Sequence, residues 1–361
     1  MNPTQQLHDG GQSLWLDSIN RAMLRNGTLA GYIDEFALTG LTSNPTILGR
    51  AMATGSDYDD SLRAHLAAET REPEQLVLSV ALEDIVAAAD LFRPAWERSG
   101  GVDGYVSIEV PPGLAYDADA SIEVARTLHR QAGRPNVLVK IPGTPAGLVA
   151  MEQLVTEGIG INVTLLFSDT HYLQTADAYL RALERRARVG ARLDVPSVAS
   201  LFVSRWDVAA DPLLPPELRG RLGLAVAEKV FASYRSLLTD ERWTELAAAG
   251  ARPQRVLWAS TATKDPALPD TYYLDHLAAR DTINTMPEQT LLAYADHGGP
   301  LELMHPDYAA AERCLATIAT HDIDIDALGQ SLQRRGARAF EADWASLLTA
   351  IAAKTAALDP R

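Results

Sequence analysis

The sequence predicts a (β/α)₈ barrel. Eight short apolar runs are spread along the chain, most of them are apolar on both faces, as strands of a buried parallel sheet are, and stretches of helical periodicity separate them. The strand candidates, in order, are Ser13–Ile19, Thr39–Ser43, Tyr105–Val110, Val137–Ile141, Ile161–Phe167, Ser197–Val203, Val256–Ser260 and Thr282–Met286. Helical patterns between them include Asp119–Gln131, Pro145–Thr156, Asp169–Val189 and Gly223–Leu238. A doubly wound parallel sheet is the competing topology, because it uses the same alternation.

Two stretches exceed the barrel repeat. Residues 51–98 hold more helix than one connection needs, over Ala51–Glu69 and Gln75–Glu97. Residues 307–357 read as two or three closing helices. Neither stretch carries a Pro/Gly/Ser-rich linker. The expected organisation is one domain over 1–361, with extra helices after strand two and a C-terminal helical extension over 307–361.

Composition narrows the function classes. The 361 residues are 47% hydrophobic and 22% charged, enough material for a large core. A net charge of −15 argues against a nucleic-acid surface and means that an anionic substrate needs local cations. The single cysteine, Cys314, excludes an internal disulfide framework and a Cys-rich metal site. The eight histidines show no ligand-like clustering near strand ends, although His297 and His305 are fairly close in sequence. The N-terminus has no signal-peptide pattern, and no apolar run reaches membrane-spanning length. The expectation is a soluble cytoplasmic protein without metal or cofactor, either monomer or homodimer.

In such a barrel the active site forms at the C-terminal ends of the strands. Polar residues interrupt the apolar runs there in nearly every strand. Strand one ends in Leu14-Trp15-Leu16-Asp17, strand two in Thr42-Ser43-Asn44-Pro45, and strand three in Ser107-Ile108-Glu109-Val110. Strand four carries Lys140, strand five Asn162 and Thr164, and strand six Ser197 and Ser200 with Ser204-Arg205 just beyond. Strand seven ends in Ser260-Thr261, and Lys264 follows. Taken singly, Asp17, Asn44 and Glu109 read as helix caps or turn residues. Together they describe a polar cavity, since so many polar groups are costly to bury without partners.

Lys140 stands apart. The chain has four lysines among 32 basic residues, and one of them lies inside the apolar run Val137-Leu138-Val139-Lys140-Ile141-Pro142. Arginine cannot form an imine, whereas a desolvated lysine can lose its proton and attack a carbonyl. A lysine, two carboxylates, an amide pair and hydroxyls suit an imine-forming carbonyl enzyme. The structural alternative is a buried lysine held by a carboxylate, and composition alone leaves both open. Arg205 and Lys264, after strands six and seven, are anion-binding candidates or plain surface charges.

At these residues the sequence resembles the transaldolase family, in its longer bacterial type. The segments that carry the resemblance are Trp15-Leu16-Asp17-Ser18, Gly40-Leu41-Thr42-Ser43-Asn44-Pro45-Thr46-Ile47, Val106-Ser107-Ile108-Glu109-Val110 and Val139-Lys140-Ile141-Pro142-Gly143-Thr144. They continue with the segment from Gly160 to Ser168, the segment from Val198 to Asp207, Trp258-Ala259-Ser260-Thr261, and the segment from Asp281 to Pro287, in family order over essentially the whole chain. The resemblance implies a metal-free Schiff-base mechanism. Lys140 would join C2 of a ketose phosphate, and Asp17 would take the C4-hydroxyl proton as the C3–C4 bond breaks. Glu109, with Thr164, would hold the water that shuttles protons. Asn44 and Asn162 would bind the dihydroxyacetone hydroxyls, and Ser200 would line the pocket. Arg205 and Ser260 would bind the distal phosphate. The reaction implied exchanges sedoheptulose 7-phosphate and glyceraldehyde 3-phosphate with erythrose 4-phosphate and fructose 6-phosphate.

Two departures from the family pattern fall at the phosphate end. Gly113 stands where the family commonly has an arginine, and Ala262 stands for a glycine in Ser260-Thr261-Ala262-Thr263-Lys264. Ala262 would be strained if its position required positive φ. Unless Lys264 contributes, phosphate binding rests on Arg205. A related lysine aldolase, a biosynthetic paralogue acting on another sugar phosphate, or a silent sugar-phosphate-binding protein are the alternatives.

Overall fold

The structure is a computed structural model that describes residues 2–43, 45–68, 72–305 and 307–358. Eight strands, β1 (Ser13–Leu16), β2 (Leu38–Thr42), β3 (Val106–Glu109), β4 (Val137–Pro142), β5 (Ile161–Leu166), β6 (Ser197–Phe202), β7 (Arg255–Ala259) and β8 (Ile283–Met286), close into a barrel in sequence order. All neighbours are parallel, and β1 pairs with β8 from Ser13↔Ile283 to Leu16↔Met286. That closure rules out the doubly wound sheet, whose two edges would stay unpaired.

Every strand lies at an apolar run of the sequence, with ends that agree or differ by one to three residues. The largest difference is at β1, which stops at Leu16 instead of Ile19. The chain leaves the barrel there, and the Asp17 N–H donates to the Met286 carbonyl at 2.7 Å. Asp17 therefore sits at the rim of the mouth and not within a strand. Side chains two apart share the interior face. Near the barrel floor Trp15 fills the interior, and its Nε1 donates to Asp103 at 2.8 Å. Gly40 makes the room, because a Cβ there would lie 2.4 Å from Trp15 Nε1.

The helices follow local signals. Asp117, Thr144 and Ser168 cap the helices Ala118–Ala132, Pro145–Glu157 and Asp169–Arg188 by accepting from the third residue on. The run Ala51–Glu69 is two helices, Pro45–Thr54 and Asp59–Ala68, parted around Gly55-Ser56, and Glu69 falls outside the described residues. Short helices such as Arg21–Arg25, Ser204–Ala210 and Glu241–Ala248 carry too few turns for periodicity to reveal them.

The C-terminal extension has two helices among the described residues, Tyr308–Ala319 and the 34-residue Ile325–Leu358. The second crosses the C-terminal mouth of the barrel. Gln333 donates its amide hydrogens to the carbonyls of Gly143 (2.9 Å) and Leu165 (3.0 Å), beyond and within adjoining strands. Leu165 has φ of 60°, and the β5–β6 register shifts there. A left-handed leucine costs on the order of 1–3 kcal/mol, so its position is held by its surroundings, Gln333 among them. Farther along, Leu347 packs where a Cβ on Gly49 would lie 1.9 Å away, and Lys354 pairs with Asp59 at 2.7 Å. The helix thus ties strand ends on one side of the mouth to the extra helices that follow β2. Among the described residues no helix is long and apolar enough to cross a membrane.

Candidate active site

The strand register builds the centre of the site. Glu109 on β3 pairs with Lys140 on β4, and Lys140 pairs with Asn162 on β5. Three adjacent strands therefore hold a carboxylate, an amine and an amide side by side on the interior face. Lys140 Nζ lies 3.0 Å from Glu109 Oε2, and the two side chains are 7% and 1% exposed. Glu109 Oε2 is thus met by the Lys140 ammonium, whereas Oε1 has no hydrogen-bond partner. Lys140 also donates to the Ser43 carbonyl at 3.4 Å. Burial pushes the Glu109 carboxyl above its ordinary range, opposed by Lys140 and reinforced by Asp17.

A buried Lys–Glu pair is also what a purely structural lysine would show. What sets Lys140 apart is that it opens on a cavity of about 160 Å³, together with Asp17, Thr164, Ser200, Arg205, Ser260, Ala262 and Lys264. Thr164 Oγ1 is buried without a hydrogen-bond partner, as is Glu109 Oε1. Buried polar groups left unmatched within the protein are groups that a bound molecule would satisfy.

Asn162 is clamped from both sides. Its Nδ2 donates to Ser107 Oγ at 3.1 Å, and its Oδ1 accepts from Ser200 Oγ at 2.7 Å. Ser200 therefore acts on the site through Asn162 as well as by lining the cavity. At the rim, Asp17 Oδ1 accepts from Thr42 Oγ1 at 2.8 Å. Burial raises the Asp17 carboxyl above its ordinary value, with Lys140, the Thr42 hydrogen bond and Arg205 pulling the other way.

The far end of the cavity is cationic. The Arg205 guanidinium lies 5.3 Å from the Phe202 ring centroid and 5.8 Å from that of Phe340. Burial lowers its pKa, and Asp17 and Asp343 partly offset this. Ser260 Oγ lies 3.0 Å from Ser204 Oγ, which fixes the hydroxyl next to Arg205. Lys264 is exposed on the same wall. Ala262 does not have positive φ and carries no such strain; the left-handed residue of this loop is Ser260, with φ of 56°. Gly113 does not line the cavity. It is exposed on the turn Pro112–Leu114, where a Cβ would meet nothing within 4 Å. Asn44 lies outside the described residues.

The cavity also contains Thr42, which the sequence places among the polar residues at the end of strand two, and Phe202, Thr285, Pro287 and Phe340, which it does not mark as site candidates. Thr285 had a signal, being a polar residue in an apolar run at the end of strand eight. Phe340 had none, because nothing in a helical stretch near the C-terminus says which face will cover the mouth. A larger cavity of about 820 Å³ opens at the opposite end, beside Ser13, Thr39 and Arg255 at the strand starts, away from the Lys140 cluster. Among the described residues no group of His, Cys, Asp and Glu is placed to hold a metal ion.

A family model described as transaldolase/fructose-6-phosphate aldolase matches residues 14–351. The chain is 44% identical over 359 residues to a transaldolase of Thiobacillus denitrificans, covering 97% of this chain and all of that one. It is 43% identical over 365 residues to a transaldolase of Thermobifida fusca, covering 99% of each chain. Similarity to transaldolase 2 of a Nostoc species is 37% over 379 residues.

Proposed function

The chain belongs to the transaldolase/fructose-6-phosphate aldolase family and is an enzyme of transaldolase type, and from that premise we propose that Lys140 carries its reaction as a Schiff-base nucleophile. The observation behind this is the buried Lys140–Glu109 pair at 3.0 Å, whose lysine lines a cavity that Asp17 also lines. The enzyme moves a dihydroxyacetone unit from sedoheptulose 7-phosphate or fructose 6-phosphate to an aldose phosphate. Lys140 attacks C2 of the ketose. Glu109, next to Thr164, moves protons during loss of water from the carbinolamine and during imine hydrolysis. Asp17 takes the C4-hydroxyl proton as C3–C4 breaks. Asn162, oriented by Ser107 and Ser200, binds a hydroxyl of the three-carbon unit, and Asn44 is assigned the same task from the sequence alone. Arg205, Ser260 and Lys264 hold the distal phosphate against a net charge of −15. The whole chain serves as one domain in the cytoplasm, where its sugar-phosphate partners are kept.

Incubation with fructose 6-phosphate followed by borohydride should leave a mass increase on the peptide containing Lys140. Absence of an adduct would sink the Schiff-base assignment. Adding erythrose 4-phosphate should then yield sedoheptulose 7-phosphate. Release of free dihydroxyacetone without that product would assign aldol cleavage in place of transfer.

Arg205→Ala should raise KM for both ketose phosphates by about 10- to 100-fold, the scale of losing a charge-assisted hydrogen bond, with kcat changed far less. Steady-state kinetics check this. A fall in kcat at unchanged KM would place Arg205 in the chemistry and not in phosphate binding.

A further inference from the structure

We infer that Thr285 and Thr42 form a two-hydroxyl relay that orients Asp17 for cleavage of the C3–C4 bond, which makes Thr285 a positioning residue of the reaction. The inference rests on the roles proposed for Lys140 and Asp17. Thr42 Oγ1 donates to Asp17 Oδ1 at 2.8 Å and lies 2.7 Å from Thr285 Oγ1. A hydroxyl has one hydrogen. With that of Thr42 committed to the carboxylate, Thr285 must be the donor to Thr42. The order is therefore Thr285 to Thr42 to Asp17, a chain of donors that ends on one carboxylate oxygen.

The backbone holds the three residues in place. Thr285 lies opposite Trp15 in the β1–β8 register, and the Asp17 N–H is bound to Met286, next to Thr285. The Thr285 carbonyl accepts from Thr261 Oγ1 at 3.0 Å. Thr42 and Thr285 are 2% and 3% exposed. Valine has nearly the shape of threonine, so packing alone would not require two hydroxyls here.

The relay does two things for Asp17. It occupies Oδ1, which leaves Oδ2 to receive the proton. It also supports the charged form in a buried place, where donors matter more than in water. The charged groups that face Asp17 are Lys140 from β4, Glu109 from β3 and Arg205 beyond β6, and Lys264 lines the same cavity. In the step served, Oδ2 takes the C4-hydroxyl proton and the O–H electron pair becomes the C4 carbonyl. The C3–C4 pair moves to the iminium, leaving an enamine on Lys140 as the aldose phosphate departs. Imine formation precedes this step and does not use Asp17 as base. A relay defect should therefore slow cleavage and spare the adduct.

The test is Thr285→Val, with Thr285→Ser as the variant that keeps the hydroxyl and Thr42→Val as an independent break in the chain. Each is incubated with fructose 6-phosphate and reduced with borohydride, and the Lys140 peptide is weighed. The unsubstituted enzyme should carry mainly the three-carbon adduct. Both valine variants should carry mainly the six-carbon phosphorylated adduct, with kcat reduced about 10- to 100-fold, the scale of a hydrogen bond to a charged group. Thr285→Ser should return the three-carbon adduct and most of kcat. Valine variants with three-carbon adduct and unchanged kcat would overturn the relay. So would valine and serine variants that lose both adducts together, which would mark a packing role. Absence of any adduct in the unsubstituted enzyme would instead overturn the Lys140 assignment, and the relay with it.

Discussion

Lys140→Met is expected to abolish transfer, a loss of roughly 10⁴-fold or more as for other covalent nucleophiles, together with the reducible adduct. Methionine approximates the shape of the lysine stem but cannot form an imine. The substitution also strands Glu109, which is 3% exposed and loses the cation beside it. Breaking a buried pair from one side costs about 3–5 kcal/mol when the remaining charge is kept. Glu109 can escape part of that cost by taking a proton, since its carboxyl is already pushed up by burial and Lys140 no longer opposes the shift. The sign follows from linkage. A folded-state pKa above the unfolded value gives stability that is present at low pH and lost as pH rises through the folded pKa. The resistance of Lys140→Met to thermal unfolding should therefore fall, relative to the unsubstituted enzyme, as pH rises from the acid side toward neutrality. Lys140→Met with Glu109→Gln should recover stability without activity. Lys140→Arg keeps a cation beside Glu109 and is expected to be equally inactive. Activity above about 1% in either single variant would mean that Lys140 is a structural lysine.

Much of this site could be read from the chain because barrel chemistry sits where strands end. Apolar runs locate Asp17, Glu109, Lys140, Asn162 and Thr164, and the polarity of these residues in such places is itself the signal. Relations across the barrel were not legible. Thr285 and Thr42 are separated by 243 positions, and closure of β8 on β1 is what brings them together. The Ser107–Asn162–Ser200 clamp likewise depends on the register of β3 to β6. Phe340 reaches Arg205 because a 34-residue helix crosses the mouth, and helical periodicity does not reveal where a helix will cross. Ala262 shows a limit of the opposite kind. Its replacement of a glycine left open whether the position needs a left-handed backbone, and the turn places positive φ two residues earlier, on Ser260. A substitution relative to a family pattern says which residue differs, not which torsion the loop requires.

Asp17→Asn should lower kcat by about 10²- to 10⁴-fold, the range for a lost general base, and leave imine formation intact. The six-carbon adduct on Lys140 should then accumulate, as in the relay variants but more completely. The two kinds of variant remove different things. Asparagine keeps an oxygen to accept from Thr42 and so keeps the orientation, but it has no base. Thr285→Val keeps the base and loses the orientation. The pH dependence separates them. Asp17 must be ionised to take the proton, so the rate falls as pH falls through its pKa. Burial raises that pKa, with Lys140, Thr42 and Arg205 as restraints, and the acid limb of kcat should sit above the ordinary carboxylate range. Glu109 is raised by the same cause, so the limb belongs to the two carboxylates jointly. In Asp17→Asn its Asp17 component should vanish, leaving a shallower acid side. In Thr285→Val it should remain and move toward higher pH, because a donor that favours the charged form is weakened. An Asp17→Asn enzyme with near-normal kcat and an unchanged acid limb would remove Asp17 from the proton transfer, and the relay would then have no base to orient.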